Sequence, residues 1–434
     1  MRYNTPPTLT LMLQIDVTGV LGSTITPSKG IPDQEFVGIQ TSMKKNVEKW
    51  LQERKQGGHA WSMDPYDKRI VKRVESIAAF AKAERIRTVV WVGIGGSGLG
   101  PKVIQDYLEG PDTVEFIVLD SLDPAILNMY MDLIDWKRAM IVVASKSGGT
   151  LETMSIFFLC YEQLQKARKE KASQYVIACT DPHKGALRSY CIEEGIEMLP
   201  IPTDVGGRFS IFTSIGLLPM ALLEGNVQRF IQGAIEMDTA CQQTALEENP
   251  AAQLAAVQFI LDTKRDYHIR VIMPYSQRLE SLGRWDQQLI AESLGKNELH
   301  NPLPTVAIGT QDQHSLLQQW MEGPRRQWHL FIREVNKPKL TVPENTEESF
   351  KYVAGKEFGA LLDACYEGTS QALTRAKRPH VTINLDTLDE YHLGQLFFLL
   401  LTEVALLGKL YRIDPYGQPG VELGKKITKE ILSK

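Results

Sequence analysis

Two short stretches hold the residue types that bind phosphate. Gly93-Ile94-Gly95-Gly96-Ser97-Gly98-Leu99-Gly100 follows a β-branched run and opens onto a helical pattern. Glycines let a backbone approach an anion closely, and the start of the next helix offers unpaired N–H donors. Ser97 adds a hydroxyl. The second stretch, Ser145-Lys146-Ser147-Gly148-Gly149-Thr150, gathers three hydroxyls and an ammonium, again after a β-branched run and before a helix. Donors pointing in several directions suit the several oxygens of a phosphate monoester.

The first stretch has rival readings. Gly93, Gly95 and Gly98 fit G-x-G-x-x-G, and Asp120 closes the next apolar run, so an NAD-dependent oxidoreductase competes. A plain tight turn, with Ser147 acting as a helix cap in the other loop, is the structural alternative. The second stretch favours phosphate. A dinucleotide fold has no use for Ser-Lys-Ser-x-x-Thr after its third strand, whereas a phosphate clamp can use each of those groups. Neither loop ends in the Gly-Lys-Ser/Thr of a Walker A motif.

The elements that must position these loops are readable from periodicity. β-Branched runs predict strands at Thr88–Val92, Val114–Leu119, Ala139–Ala144, Tyr175–Cys179 and Ile196–Pro200. A second set is predicted at Ile269–Pro274, Thr305–Ile308, His329–Arg333 and Val381–Leu385. Helical spacing fills the gaps, for example over Thr150–Lys169, Phe209–Leu223, Gln313–Trp320 and Leu388–Leu407. Strand–helix alternation predicts α/β architecture: two doubly wound parallel sheets, each an α-β-α sandwich. Ligands of such sheets bind beyond the carboxyl ends of the strands, where both loops fall. Lys337–Ser349, rich in Pro, Glu and Thr, is expected to be a surface loop.

Composition narrows the function classes. A net charge of −4, with no basic tract, gives no indication of a nucleic-acid or anionic-membrane partner. Cys160, Cys179, Cys191, Cys241 and Cys365 are scattered and show no C-x-x-C, which predicts reduced thiols and a cytoplasmic protein. The eight histidines, with no H-x-x-x-H or H-E-x-x-H, point to no metal site. The apolar run Leu396–Leu407 is interrupted by Thr402 and Glu403 and reads as a buried core helix. Leu9–Val17 lacks the pattern of a signal peptide.

Four further segments join the two loops: Gly206-Gly207-Arg208-Phe209-Ser210, Ala291-Glu292-Ser293-Leu294-Gly295-Lys296, Gly309-Thr310-Gln311-Asp312-Gln313-His314 and Tyr416-Gly417-Gln418-Pro419-Gly420-Val421-Glu422-Leu423-Gly424-Lys425. In this order and over nearly the whole chain, the six resemble the phosphoglucose isomerase family in its shorter bacterial form. Two positions depart from its pattern: Gly417 replaces a usual Asp or Asn, and Gly149 a frequent threonine.

The resemblance implies two sugar isomerase (SIS) domains, at 66–202 and 203–410. An N-terminal segment, 1–65, would pack on them, and a helical tail, 411–434, would contribute to the active site. It implies reversible isomerisation of glucose 6-phosphate to fructose 6-phosphate through a cis-enediolate, in glycolysis and gluconeogenesis, with no cofactor.

By the same resemblance Glu292 is the general base that carries a proton between C1 and C2, and Arg208 stabilises the enediolate charge. His314 and Lys425 serve ring opening, His314 from the partner subunit of a homodimer, and Gln418 contacts substrate. Ser97, Ser145, Ser147 and Thr150 hold the phosphate, with Lys146 near it and the backbone of Gly96 and Gly207 close by. Without that context Glu292 and Lys425 would read as solvated surface groups, Arg208 as a surface charge or helix-start contact, and His314 as a structural histidine. A sugar-phosphate sensor of the same fold would need the loops but not Glu292, Arg208, His314 and Lys425 together. A glutamine-dependent aminosugar synthase would need an N-terminal cysteine, and the first cysteine is Cys160.

Overall fold

The computed structural model describes residues 12–296 and 298–434. The strands among them are, in chain order, β1 (Gln14–Asp16), β2 (Thr88–Val92), β3 (Glu115–Leu119), β4 (Ala139–Ala144), β5 (Val176–Thr180), β6 (Glu197–Pro200), β7 (Ile269–Pro274), β8 (Leu303–Val306), β9 (Gln327–Glu334) and β10 (His380–Leu385). They form two five-stranded sheets, β3-β2-β4-β5-β6 and β8-β7-β9-β10-β1. The first is wholly parallel. The second is parallel except for β1, which runs antiparallel to β10 with Ile15 opposite Ile383. In both sheets the unit's first strand lies between its second and third, so both have a topological switch point, β2/β4 in one and β7/β9 in the other.

The central strands are β-branched because both faces are covered. Thr88–Val92 and Ala139–Ala144 are buried along their whole length. The helix Glu390–Tyr411 is long and apolar enough to cross a membrane, yet it is buried almost throughout and packs on the helices Val227–Cys241 and Pro250–Arg265. Its interior polar residues are satisfied inside the protein. Thr402 donates to the Phe398 carbonyl at 2.9 Å, and Glu403 accepts from Arg270 at 2.6 Å. The core-helix expectation holds. All five cysteines are free, and only Cys365 is exposed.

Several boundaries differ from the sequence reading. The helix expected over Phe209–Leu223 is a tight 3₁₀ segment, Gly207–Phe212, followed by a helix, Ser214–Leu222, because Thr213 caps the second piece through Ile215 N. The predicted strand Thr305–Ile308 lies two residues earlier, at Leu303–Val306. Ile308 instead donates its N–H to Asp312 at 2.7 Å. Gln313–Trp320 splits into a 3₁₀ turn, Gln311–His314, and a short helix, Leu317–Glu322. The three-residue β1 had no strand signal, since it is an edge strand held by long-range pairing.

Candidate active site

The carboxyl end of β2 leads through Gly95, in a positive-φ conformation (58°), into the helix Gly96–Leu108. No side chain caps this helix start; the N–H groups of Ser97, Gly98 and Leu99 bond back to the carbonyls of Ile94 and Gly95, which leaves the Gly96 N–H for a ligand. A Cβ on Gly96 would lie 2.1 Å from the carbonyl carbon of Gly207, so only glycine lets these two loops touch. Ser97 is half-buried beside them, and its carbonyl accepts from Trp91 Nε1 at 2.8 Å. Asp120, the acid that a dinucleotide site would use, is ion-paired to Lys102 at 2.8 Å. The strand order also differs from that of the dinucleotide fold, in which the first strand does not lie between the second and third.

Across the switch point, the loop after β4 brings its hydroxyls together. Thr150 Oγ1 lies 3.2 Å from Ser145 Oγ and 3.4 Å from Ser147 Oγ. Thr150 occupies the N-cap of the helix Leu151–Arg168 but makes no side-chain cap bond. Ser147 is not the cap, so the simple capping alternative fails. Three hydroxyls thus converge at an uncapped helix start, an arrangement suited to an anion. Lys146 turns away from them and donates to the carbonyls of Thr203 (3.1 Å) and Val205 (2.9 Å). Burial lowers its pKa, against the pull of Asp181 and Asp204.

Arg208 is the hub of the site and is 1% exposed. Its Nε donates to Ser293 Oγ at 2.7 Å, and its Nη1 to Glu292 Oε2 at 2.9 Å and Gln418 Oε1 at 3.0 Å. Its Nη2 donates to the carbonyls of Pro415 (2.6 Å) and Tyr416 (3.0 Å). Burial lowers its pKa, and Glu292 and Asp414 oppose that shift. Glu292, near the end of the helix Glu280–Leu294, accepts a second bond from Gln288 Nε2 at 2.9 Å, yet its side chain keeps 31% exposure. The carboxylate is therefore oriented on both oxygens and still open to a ligand.

The 414–418 segment is held from behind. Lys296 Nζ donates to the Asp414 carbonyl at 2.6 Å, Trp61 Nε1 donates to Tyr416 Oη at 3.2 Å, and His59 Nδ1 also bonds that hydroxyl. The Tyr416 ring packs on Phe209 with centroids 5.1 Å apart.

The phosphoglucose isomerase family model matches residues 61–434, most of the chain. The chain belongs to the phosphoglucose isomerase family. A glucose-6-phosphate isomerase of Rubrobacter xylanophilus is 37% identical over 368 residues, 81% of this chain and 85% of that one. Among solved structures, a hypothetical protein of Thermus thermophilus superposes with a TM-score of 0.90 at 28% identity, covering 98% of this chain and 100% of that one. A glucose-6-phosphate isomerase of Chlamydia trachomatis shares the fold at a TM-score of 0.75 and 23% identity, over 84% of this chain and 73% of that one.

Against the family motifs, the structure gathers Gly96, Gly207, Arg208, Glu292 and Gln418, and separately Ser145, Ser147 and Thr150. It does not bring His314 or Lys425 to Glu292. Exposed His314 ends the turn Gln311–His314, beyond the carboxyl end of β8. The helix carrying Glu292 runs back from the carboxyl end of β7 towards the amino end of β8. Its fifteen residues, at about 1.5 Å each, place Glu292 about 20 Å below the edge on which His314 sits. Lys425 is exposed on the terminal helix Glu422–Leu432, ion-paired to Glu422 at 2.8 Å. Gln288 was not singled out in the sequence, and Ser293 and Lys296, although within the Ala291–Lys296 segment, were given no role. Gln288 had a signal, since i and i+4 residues share a helix face with Glu292.

Proposed function

We propose that this chain interconverts glucose 6-phosphate and fructose 6-phosphate, with the reacting carbons over Glu292. The observation that carries the reading is the Arg208–Glu292–Gln418 cluster beside the abutting Gly96 and Gly207 loops. Ser145, Ser147 and Thr150 take the phosphate, with Ser97 and the Gly96 N–H alongside; Lys146 braces the neighbouring loop.

Glu292 removes the C2 proton of the open-chain aldose and returns it to C1. A single carboxylate over both carbons is enough, because the cis-enediolate keeps them in one plane. Arg208 has its N–H groups engaged by Ser293, Glu292, Gln418 and the tail carbonyls. It serves first as a fixed positive charge next to the forming enediolate, and Gln418 is the partner that can yield to substrate oxygens. Such preorganised charge needs no rearrangement during the reaction.

His314 and Lys425 serve ring opening. His314 lies at the far edge of its own second sheet from Glu292, which supports its acting in the site of a second copy, as a homodimer. Lys425 reaches substrate from the terminal helix. The reading places this chemistry in the cytoplasm, in glycolysis and gluconeogenesis.

The test supplies fructose 6-phosphate to the purified, chelator-treated chain and couples product to glucose-6-phosphate dehydrogenase. NADPH formation is the expected result. Folded protein that yields none removes the isomerase reading and favours a sugar-phosphate sensor.

A further inference from the structure

Three connections meet at the amino ends of the second sheet: 266–268 before β7, 323–326 before β9 and 376–379 before β10. Arg378, 2% exposed, donates through Nη2 to the carbonyls of Met321 (2.8 Å) and Gly323 (2.7 Å), closing the helix Leu317–Glu322. Its Nε and Nη1 are buried and have no partner. Arg325 closes the helix Phe358–Arg375 in the same way, through the carbonyls of Ala376 (2.8 Å) and Lys377 (3.0 Å). Tyr267, also 2% exposed, turns its buried hydroxyl towards the Arg325 guanidinium, with Arg378 in electrostatic range, but makes no hydrogen bond of normal geometry to either.

Capping explains part of each arginine and leaves the rest unsatisfied. An arginine stays protonated, so a buried one without a counter-charge is costly, and a second cation beside it adds repulsion. Burial, and then the charge of Arg325, lower the pKa of Arg378 from its ordinary value. Among the described residues no carboxylate is ion-paired with Arg325 or Arg378. The neighbouring acids are already engaged. Asp266 binds Arg326 and His268 (2.6 Å), and Asp262 binds His268 (2.5 Å) and Tyr411 (2.7 Å). Residues 1–11 and 297 contain no Asp or Glu. Asp266 is thus drawn to Arg326 and His268, and among the described residues no carboxylate neutralises Arg325 or Arg378.

We propose that the cluster binds a small free oxyanion of phosphate or sulfate type. The unpaired N–H groups of Arg378 and the Tyr267 hydroxyl donate to it, and Arg325 adds the second positive charge. A doubly cationic site rich in N–H donors, half of it buried at Arg378 and Tyr267 and open at exposed Arg325, suits a compact dianion. It is separate from the proposed active site. The helices closed by these arginines pack with Val271, Met273 and Phe331, whereas the helix of Glu292 packs with Ile272, Leu330 and Ile332 on the other face of the sheet.

Calorimetric titration of inorganic phosphate into the full chain and into two variants tests this. Tyr267→Phe loses one donor, and Arg325→Gln loses the charge while keeping an amide for the helix end. Each is expected to weaken one phosphate-binding event by about tenfold or more, the scale of a hydrogen bond to a charged group. Tyr267→Phe carries the test if removal of an arginine prevents folding. The comparison is between variants, so phosphate bound at the hydroxyl loops of the first sheet cancels whatever those loops do. Matching titrations for the wild type and both variants would overturn the proposal. So would variant-sensitive binding seen with fructose 6-phosphate but not with free phosphate or sulfate.

Discussion

The carboxyl edges of the two sheets share one topology and differ in chemistry. At the first switch point, the hydroxyls of Ser145 and Ser147 both contact Thr150 and accept from the N–H groups of Gly148 and Gly149, and two helix starts have no side-chain cap. At the second, the corresponding groups are consumed internally. Buried Glu334, at the end of β9, accepts from Arg278 (2.8 Å) and Leu388 N (2.8 Å), and Lys337 is paired with Asp363 at 2.7 Å. Asp389, after β10, accepts from Arg229 at 2.6 Å and caps the core helix through His392 N at 2.9 Å. An open α/β sheet thus provides a place for a ligand at each switch point. The proposed function puts the ligand at the edge whose loop groups are the less committed. The second sheet contributes instead through Glu292, carried back to the opposite edge by its helix.

This contrast can be broken by four experiments. Glu292→Gln should lower turnover by about 10²- to 10⁴-fold while substrate still binds. Near-native turnover in the coupled assay would remove the assigned base. The double change of Ser145 and Thr150 to alanine should raise KM by about 100-fold with a smaller effect on kcat, since each hydroxyl donates to a charged group. An unchanged KM would show that the open edge is not the phosphate site.

On the closed edge, changes should affect stability and leave catalysis intact. The bonds from His392 and Arg229 outweigh burial and hold Asp389 at a pKa of about 2, below its ordinary 3.8. A depressed carboxylate stabilises the fold above its unfolded pKa, and that contribution is lost as pH falls through the folded value. Asp389→Asn should therefore cost about 2 kcal/mol at neutral pH, with the gap to wild type closing between about pH 4 and pH 2. A gap independent of pH, followed by denaturant unfolding, would refute the linkage. Lys337→Met should cost about 1 to 2 kcal/mol and leave kcat and KM unchanged, because its nearly buried ammonium is engaged within the chain by Asp363 and the Glu334 carbonyl. A raised KM would mean that the second switch point also meets substrate.

Much of the fold was legible because it is locally encoded. β-Branched runs such as Ala139–Ala144 are buried on both faces, and the spacing of Leu388–Leu407 marks a helix whatever its neighbours. β1 was not legible, since its three residues owe their conformation to pairing with β10, far along the chain. The glycine and hydroxyl loops were visible because each is contiguous. The turn of Lys146 towards Thr203 and Val205 was not, as nothing in Ser-Lys-Ser fixes the direction of a lysine stem.

The sequence by itself determined the alternation of strands and helices, the glycine-rich and hydroxyl-rich loops and membership of the family through six ordered motifs. Each rests on periodicity or on residues adjacent along the chain. Only the tertiary structure decided that Arg208 is engaged by groups 84 to 210 residues away, that Gly96 must meet Gly207, and that His314 stands at the far edge from Glu292. Such contacts depend on how helices return across a sheet and which buried donors find acceptors, and no local window of sequence carries that information.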